Sequence, residues 1–334
     1  MNVSYHNFMI KSIHAGVIDM KFMVGLSQSD LGFTDCIIGH KPHIYEVYFS
    51  WGDFPNGRNR QTESQTDTPW ALQDRQRAAL KKLSDNGIPL NLLLNANCYG
   101  RDSQSRAFFE KIGMTIDDII ETYGLQSVTT TSPLIAKFVK NNFKELDVRA
   151  SVNMEIGTVQ GMAYIAPYFD SYYVKRELNR SLDKIKELRD WAEANGKKLY
   201  LLANSGCLND CSARNFHDNL VAHESEIARM DNAYDFHGVC HAYLKDTRHY
   251  QTLIEHTNFV RPEDIHQYEP YVDAVKLATR VHKNPREVLQ SYVRAKYSGD
   301  ILRLLEPAHS IYPYVIENGD PLRLLRIDTN IQEV

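Results

Sequence analysis

Residues 198–207 read Lys-Leu-Tyr-Leu-Leu-Ala-Asn-Ser-Gly-Cys, a short apolar run that passes directly into polar residues and a cysteine. A leucine-rich run of this length, closed by polar residues and glycine, is typical of a buried β-strand. Residues 180–195 before it have apolar side chains at spacings of three and four, and Gly196 then supplies a helix C-terminus. A helix followed by such a strand predicts one unit of a parallel α/β fold.

The same alternation recurs along most of the chain. About seven or eight such units fit a (β/α)8 barrel better than an open doubly wound sheet, because the sequence has no glycine-rich dinucleotide or phosphate loop. We therefore predict an α/β fold, a (β/α)8 TIM-like barrel over residues 1–305, with a small C-terminal appendage, residues 306–334, packed on it. The predicted strands are 44–49, 90–95, 126–130, 147–153, 171–175, 198–203 and 273–277, and the predicted helices are 70–86, 103–112, 133–143, 180–195 and 285–305.

The composition is that of an ordinary globular protein. The 334 residues are 43% hydrophobic and 24% charged, with a net charge of -4, so nothing favours general attraction to nucleic acid. The N-terminus lacks the basic and apolar segments of a signal peptide, and no apolar run reaches the roughly 20 residues that span a bilayer. We expect a cytoplasmic protein without membrane insertion.

In a barrel of this kind, functional side chains lie at the carboxyl ends of the strands. Several polar residues follow the predicted strands directly, and they are the candidates for a site. They are Asn95, Asn97, Cys98, Asn153, Glu155, Arg176, Glu177, Asn179, Asn204, Cys207 and Cys211.

Three of the five cysteines fall in one region, Cys207, Cys211 and Cys240. In a reducing compartment a sparse, odd set of thiols favours metal binding over disulfides. Thiolates bind zinc and iron–sulfur clusters, and the three-residue gap between the first pair suits a larger cluster somewhat better than zinc. Cys98, at a strand end on the same barrel face, is the predicted fourth ligand, with Cys36 in reserve.

Alternatives remain open for this metal site. Cys36 is expected before the first strand as a buried structural thiol. Four histidines near the cysteines offer a zinc site of mixed ligands. They are His217, His223, His237 and His241.

Together these residues resemble peptidase family U-32, the collagenase-like peptidases. The resemblance extends from Tyr48 to Arg280, and the thiol motif with the Arg-Pro-Glu-Asp segment is its most specific part. The matching pieces are residues 48–49 with 57–58, 94–98, 176–179, 204–211 with Arg214 and His217, Cys240, 259–264 and 273–280.

The resemblance implies a barrel-like fold and, as in several relatives, a [4Fe-4S] cluster held by four cysteines. Relatives take part in oxygen-independent ubiquinone hydroxylation or hydroxylate RNA bases, whereas protease activity is the founding assignment. It thus implies oxygen-independent redox or hydroxylation chemistry on a small molecule, an RNA base or a peptide, with a homologous partner subunit as a further expectation.

The resemblance also carries roles to single residues. Glu177 is expected as an acid or base, with Arg176 beside it and pointing to the opposite face if the chain stays extended. Arg261 and Glu263 are expected to form an ion pair or an anion clamp. Lys276 and Arg280 are spaced to suit anion binding at the last strand, although an ordinary solvated charge is the favoured interpretation.

Asn95 and Asn204 complete the predicted substrate-binding residues. Two other function classes stay open. One is a zinc-dependent hydrolase or peptidase with Cys and His ligands and Glu155 or Glu177 as the base, which the absence of a His-Glu-x-x-His motif disfavours. The other is a non-enzymatic partner subunit with a structural cluster.

Overall fold

The structure is a computed structural model that describes residues 19–27, 29–57, 68–234, 236, 238–309, 313–319 and 322–326. The N-terminal residues 1–18 lie outside this described part, as do Arg58 and His237 from the sequence motifs. None of the helices in the described part combines the length and apolar character that crossing a bilayer requires.

Eight parallel strands form a closed barrel in chain order, which confirms the predicted TIM-like fold. Strand and helix alternate over most of the chain, so each parallel pair is joined by a crossover. The strands are β1 (Phe22–Gly25), β2 (Ile44–Phe49), β3 (Leu90–Leu94), β4 (Leu125–Thr130), β5 (Asp147–Ala150), β6 (Ser171–Tyr173), β7 (Lys198–Leu202) and β8 (Ala274–Leu277).

The first strand, β1, was missed by the sequence analysis. Its four residues are all buried, so it lacks the alternation that marks a half-exposed strand. Phe22 pairs with Ile44 of β2 on one side and with Val275 of β8 on the other, which closes the barrel. Cys36 therefore follows the first strand instead of preceding it, and it lies half-buried in a helix.

Eleven α-helices are present in the described residues, and several begin where the sequence offers a side-chain cap. Ser105, for example, accepts a hydrogen bond from the amide of Phe108 at 3.1 Å. The helices are α1 (Phe33–Gly39), α2 (Pro69–Asp85), α3 (Arg106–Tyr123), α4 (Pro133–Asn142), α5 (Val159–Ile165), α6 (Leu182–Ala194), α7 (Arg214–Ala222), α8 (Glu224–Ile227), α9 (Val239–Tyr243), α10 (Thr247–Gln251) and α11 (Pro285–Val293).

Two predicted helices had the wrong length. Helix α3 continues to Tyr123 and ends at Gly124, whose φ of 74° is the left-handed conformation that terminates helices. The helix expected over 285–305 ends at Val293 and is followed by a loop and a 3-10 helix, Ile301–Leu304. Ala295 and Gly299 have positive φ in that loop, which interrupts the helix.

The core has two parts, as the barrel geometry requires. The larger part lies between the sheet and the helices around it. The smaller part fills the barrel interior with side chains from alternate positions of the strands. It comprises Met23, Tyr48, Leu93, Val152, Tyr173, Tyr200, Leu202 and Ala274.

Below that inner core, at the amino ends of the strands, a polar network closes the barrel. Arg149 donates to Glu46 at 2.5 Å and to Asp147 at 3.0 Å, and its side chain is 4% exposed. Ser127 donates to Glu46 at 3.1 Å and in turn accepts from Asn91 at 2.7 Å. Each charge at this closed end therefore has a partner.

After α11 the chain returns to the barrel mouth and forms a small antiparallel sheet of β9 (Tyr314–Glu317) and β10 (Arg323–Arg326). The backbone of Glu306 bonds to Asn204 and Gly206 at the end of β7, at 2.9 and 3.0 Å. The C-terminal segment is thus fastened to the carboxyl ends of the strands. The division at residue 305 stays a prediction.

Candidate functional site

A small cavity of about 90 Å³ opens at the carboxyl ends of the barrel strands. Parallel strands bring their carboxyl ends together there, so residues far apart in sequence share one wall. Its lining is Tyr48, Gly57, Leu93, Asn95, Val152, Asn153, Arg176, Leu202, Ser205, Cys207, Lys276, Ala278, Arg280, Val281 and Glu306. A larger cavity of about 230 Å³ lies between α1, α2 and the residues that follow β1, Leu26 and Ser27.

Lys276, near the end of β8, contributes one wall of this mouth cavity. The residue is 7% exposed, so the interpretation as a solvated charge was wrong. Its ammonium lies 4.1 Å from the ring centroid of Tyr48 and 5.1 Å from that of Tyr173. Burial and the positive charge of Arg280 lower the pKa of Lys276 to about 7, against the opposing negative charge of Glu46.

Arg176 and two asparagines form the opposite wall. Arg176 donates to the side-chain oxygen of Asn153 at 2.5 Å, and Asn153 donates to the backbone oxygen of Asn95 at 3.4 Å. The side chain of Asn95 accepts from the amide of Gly57 at 3.2 Å. A Cβ at Gly57 would lie 2.6 Å from Asn153, so glycine allows this close approach. Asn95, Arg176 and Lys276 thus meet at one cavity.

Two more charged residues complete the mouth cavity. Arg280 donates to the side-chain oxygen of Asn56 at 2.7 Å. Glu306 reaches the cavity from the C-terminal segment. Three cationic side chains, Lys276, Arg176 and Arg280, therefore line the cavity with one carboxylate, and such a surface favours an anionic ligand.

Glu155 and Glu177, the two predicted catalytic carboxylates, are brought together by Arg214. This buried arginine donates to Glu155 at 3.1 Å and also to Glu177, and it holds the backbone oxygen of Leu208 at 2.8 Å. Burial alone would lower the pKa of Arg214, but the negative charges of Cys207 and Glu177 outweigh it and raise that pKa.

The backbone beyond β6 does not stay extended. Residues Arg176–Leu178 form a 3-10 helix, so Arg176 and Glu177 are separated by the turn of this helix and not by strand alternation. Arg176 points to the cavity and Glu177 to Arg214.

Asn204 joins strand ends instead of lining the cavity. Its side chain is fully buried, accepts from the amide of Ala278 at 2.6 Å and donates to the backbone oxygen of Leu304 at 3.0 Å. These bonds tie β7, β8 and the C-terminal segment together. Its role as a substrate-binding residue stays a prediction.

Arg261 and Glu263 do not form the expected ion pair. The carboxylate paired with Arg261 is Asp264, at 2.8 Å, whereas Glu263 accepts from the amide of Tyr297 at 2.7 Å and from Asn318 at 2.8 Å. The two residues lie on a turn of 3-10 helix that separates their side chains. Their contacts anchor the segment after α11, and substrate binding by either one stays a prediction.

Cys207, Cys211 and Cys240 lie in one neighbourhood. Burial raises the pKa of the Cys240 thiol, and the negative charges of Cys207 and Cys211 raise it further, so the three sulfurs interact electrostatically. The carbonyl of Cys207 is held by the side chain of Asn258 at 3.1 Å, and Asp210, between the thiol pair, has a φ of 51°.

The donor set fits a thiolate-bound metal centre in type and neighbourhood. Two sulfurs on the loop after β7 and one in α9 are of the ligand type that zinc and iron–sulfur clusters take. Within the described residues, however, no three Cys, His, Asp or Glu side chains surround one point closely enough to hold a metal ion. Binding would therefore require the thiol side chains to turn toward a common centre.

Cys98, the predicted fourth ligand, has another neighbour. The amide of Gly100, at 3.5 Å, and a hydrogen bond with His223 lower the pKa of the Cys98 thiol. His223 in turn lies 3.1 Å from Glu226 through its Nδ1 atom. Cys98, His223 and Glu226 therefore form a thiol, imidazole and carboxylate series, which no sequence pattern reveals because Cys98 lies far along the chain from the other two.

The other candidate histidines have separate surroundings. His217 packs against the ring of Phe236, with centroids 5.5 Å apart. The ring of His241 lies 6.0 Å from that of His309, whose Nε2 bonds to the carbonyl of Gly206. A mixed zinc site that includes His217 or His241 stays a prediction.

Fold and cavity together define a (β/α)8 barrel protein with its candidate site at the carboxyl ends of the strands. No family model matches the sequence. The chain is 24% identical over 238 residues to a protein of Methanocaldococcus jannaschii named uncharacterized protease MJ1657, covering 70% of this chain and 69% of that protein.

Among solved structures, the U32 peptidase Mk0906 is similar with a TM-score of 0.54 and 14% identity, over 82% of this chain and 97% of that one. This likeness shows that the two proteins share a fold. The name of the archaeal relative and the shared fold agree with the resemblance to the U32 peptidases that the sequence motifs indicate.

Proposed function

We propose that the chain is an enzyme of the U32 type that acts at the mouth cavity on an anionic substrate, beside a metal centre held by Cys207, Cys211 and Cys240. The observation that carries the proposal is that Cys207 lines the same cavity as Lys276, Arg176 and Arg280. A centre on this thiol would therefore adjoin the bound substrate.

The metal centre in this proposal is an iron–sulfur cluster, with [4Fe-4S] as the expected type and Cys98 as its fourth ligand. When bound, such a cluster supplies or accepts electrons, which suits oxygen-independent redox or hydroxylation chemistry. The substrate is a small molecule, an RNA base or a peptide. Arg176 and Arg280 bind its anionic group beside Lys276, Asn95 and Asn153 orient it, and Glu155 and Glu177 are the available proton carriers.

Anaerobic purification tests the metal centre. Bound iron and sulfide with visible absorbance at about 400 nm are expected from thiolate-ligated iron. Separate Ser variants of Cys207, Cys211 and Cys240 should each lose the iron. Cys36→Ser is the matched control, since that thiol lies in α1 and outside the cavity wall. Retained iron in all three variants would contradict the proposal.

Two outcomes of the same experiment would redirect the proposal. Colourless protein with stoichiometric zinc would instead support a zinc-dependent hydrolase with Glu155 or Glu177 as the base. Iron-loaded protein that acts only with a second, homologous protein would support a partner subunit. Loss of iron from Cys98→Ser would identify the fourth ligand.

Peptide hydrolysis is a second candidate function, and the series of Cys98, His223 and Glu226 favours it. A thiolate at Cys98 would attack the peptide carbonyl carbon, His223 would give a proton to the departing amine, and water would then cleave the thioester. The relatives carry the names protease and peptidase, which agrees with this chemistry.

Thiol alkylation tests the second candidate. Activity on a mixture of fluorogenic peptides should disappear on treatment with iodoacetamide and in Cys98→Ala, while Cys36→Ala should keep it. Hydrolysis that survives in Cys98→Ala would exclude this thiol as the nucleophile. Loss of iron from Cys98→Ser would instead assign the thiol to the metal centre.

A further inference from the structure

Lys276 is a buried amine, and the negative charge of Glu46 only partly offsets the effect of its burial. Within the described residues, no hydrogen bond or ion pair to its Nζ atom is found, although the residue is 7% exposed. Burying an ammonium without a partner costs free energy, so such a lysine is uncommon unless it serves a ligand. By contrast, Arg149 at the closed end is bonded to two carboxylates.

The position of Lys276 directs its amine into the mouth cavity. Ala274, two residues earlier on β8, faces the barrel interior, and Lys276 shares that face because side chains alternate along a strand. The rings of Tyr48 and Tyr173 flank the side chain, and the hydroxyl of Tyr48 is fixed by donating to the backbone oxygen of Leu277 at 2.8 Å. The amine is thus held on an apolar wall with its open side toward the cavity.

Arg176 and Arg280 line the same cavity. Each guanidinium is already positioned by an asparagine, Arg176 by Asn153 and Arg280 by Asn56. Guanidinium groups bind carboxylate and phosphate groups with directed hydrogen bonds. A ligand anchored there by an anionic group would place its remaining atoms close to the amine of Lys276.

We propose that Lys276 forms a Schiff base with a small carbonyl compound that carries a carboxylate or phosphate group. The proposal deepens the function proposed above, and it rests on it for the location of the active site. Arg176 and Arg280 hold the anionic group, and Lys276 supplies the nucleophile.

The step is balanced without an oxidant or reductant. The neutral amine of Lys276 attacks the carbonyl carbon, a C–N bond forms as the C=O π bond breaks, and a proton passes from the nitrogen to the oxygen to give a carbinolamine. The hydroxyl group then leaves as water with a second proton, and a protonated imine remains. Burial favours the neutral amine that this attack needs.

Borohydride trapping with glyoxylate tests the proposal. Glyoxylate is a small aldehyde with a carboxylate, and reduction of its imine leaves a carboxymethyl group on the lysine. Protein incubated with glyoxylate and sodium borohydride near pH 7.5 is digested, and the label on each lysine is measured by mass spectrometry. Because the pKa of Lys276 is lowered to about 7, we expect labelling on the order of a hundredfold greater than at an exposed lysine.

Matched variants distinguish a specific binding site at Lys276 from the general reactivity of lysine side chains. Lys276→Arg should lose the preferential label, whereas Lys81→Ala, an exposed change on α2, should keep it. Arg280→Ala should reduce labelling by glyoxylate more than labelling by formaldehyde, which has no anionic group. Circular dichroism shows whether each variant folds. The comparison of Lys276 with exposed lysines in the wild-type protein does not depend on any variant.

The outcomes distinguish this inference from the proposed function. Equal labelling of Lys276 and exposed lysines would overturn the Schiff base, even if iron is bound by Cys207, Cys211 and Cys240. Preferential labelling of Lys276 by formaldehyde and glyoxylate alike, unchanged in Arg280→Ala, would overturn the anionic substrate class. Selective glyoxylate labelling in protein without metal would support the inference while contradicting the metal centre.

Discussion

The two ends of the barrel interior hold similar numbers of charged side chains but differ in how these side chains are paired. At the closed end, Arg149 is bonded to Glu46 and Asp147. At the mouth, Lys276 and Arg176 lie on a cavity with their charge directed toward it. The closed end therefore stabilises the fold, while the mouth keeps cationic groups for a ligand. Burial of a charge alone does not mark a functional site, whereas burial beside a cavity without a bonded acid makes a residue a candidate for one.

The largest effect should come from breaking the closed end. Arg149→Met leaves Glu46 buried with Ser127 as its hydrogen-bond donor, so we expect a loss of about 3–5 kcal/mol in the free energy of unfolding at neutral pH. Urea denaturation measures it. The double variant Arg149→Met with Glu46→Gln should recover most of the loss, because the buried charge of Glu46 is gone and Asp147 still accepts from Ser171 at 2.9 Å. A single variant as stable as the wild type would show that the two ends do not differ in this way.

At the mouth, Lys276→Met should change how stability depends on pH. The pKa of Lys276 is about 7 in the folded chain and 10.5 in the reference state, so between these values the unfolded chain binds the extra proton. The wild type should therefore gain stability relative to Lys276→Met as pH rises from 7.5 to 9.5, by up to about 1.4 kcal/mol per pH unit. Urea denaturation of both proteins at each pH checks the sign. A constant difference would mean that this ammonium is not penalised by burial.

A smaller effect is expected at the wall of the mouth. Gly57→Ala adds a Cβ 2.6 Å from Asn153 and 3.1 Å from Asn95, so it should cost about 1–2 kcal/mol in unfolding free energy and displace Arg176 through Asn153. Glyoxylate labelling of Lys276 should fall with it. Thermal unfolding and the labelling assay measure the two effects, and unchanged labelling would show that Gly57 does not shape the cavity.

The smallest effect should come from the surface. Lys81 and Asp85 form an exposed ion pair within α2, so Lys81→Ala should change the unfolding free energy by less than about 0.5 kcal/mol. Parallel urea titrations with Arg149→Met provide the comparison. A loss above about 1 kcal/mol would remove the contrast between paired charges inside and outside the barrel.

Most of the barrel could be predicted from the sequence because its strands are short apolar runs separated by amphipathic helices. Strand β1 could not, since four wholly buried residues show no periodicity. The end of α11 depends on a tertiary contact, the bond from the amide of Tyr297 to Glu263, which no local pattern reveals.

The site was predictable in part. Asn95, Arg176 and Cys207 were candidates because they follow predicted strands, and all three line the cavity. The burial of Lys276 was missed because its neighbours Tyr48 and Tyr173 come from distant strands. Arg214 was noted as a motif residue, but its link to Glu155 and Glu177 depends on three loops meeting in space. The spacing of residues along the sequence does not reveal which distant residues come into contact in the fold.

The barrel closes through pairing of β1 with β8, and Glu306 then attaches to the end of β7. During synthesis, the wall that holds Lys276 and Glu306 can assemble only after the ribosome has translated and released the chain as far as Glu306. A nascent chain therefore has no complete pocket, and any reactive amine or thiol at the mouth is exposed to solvent until the last strand is in place.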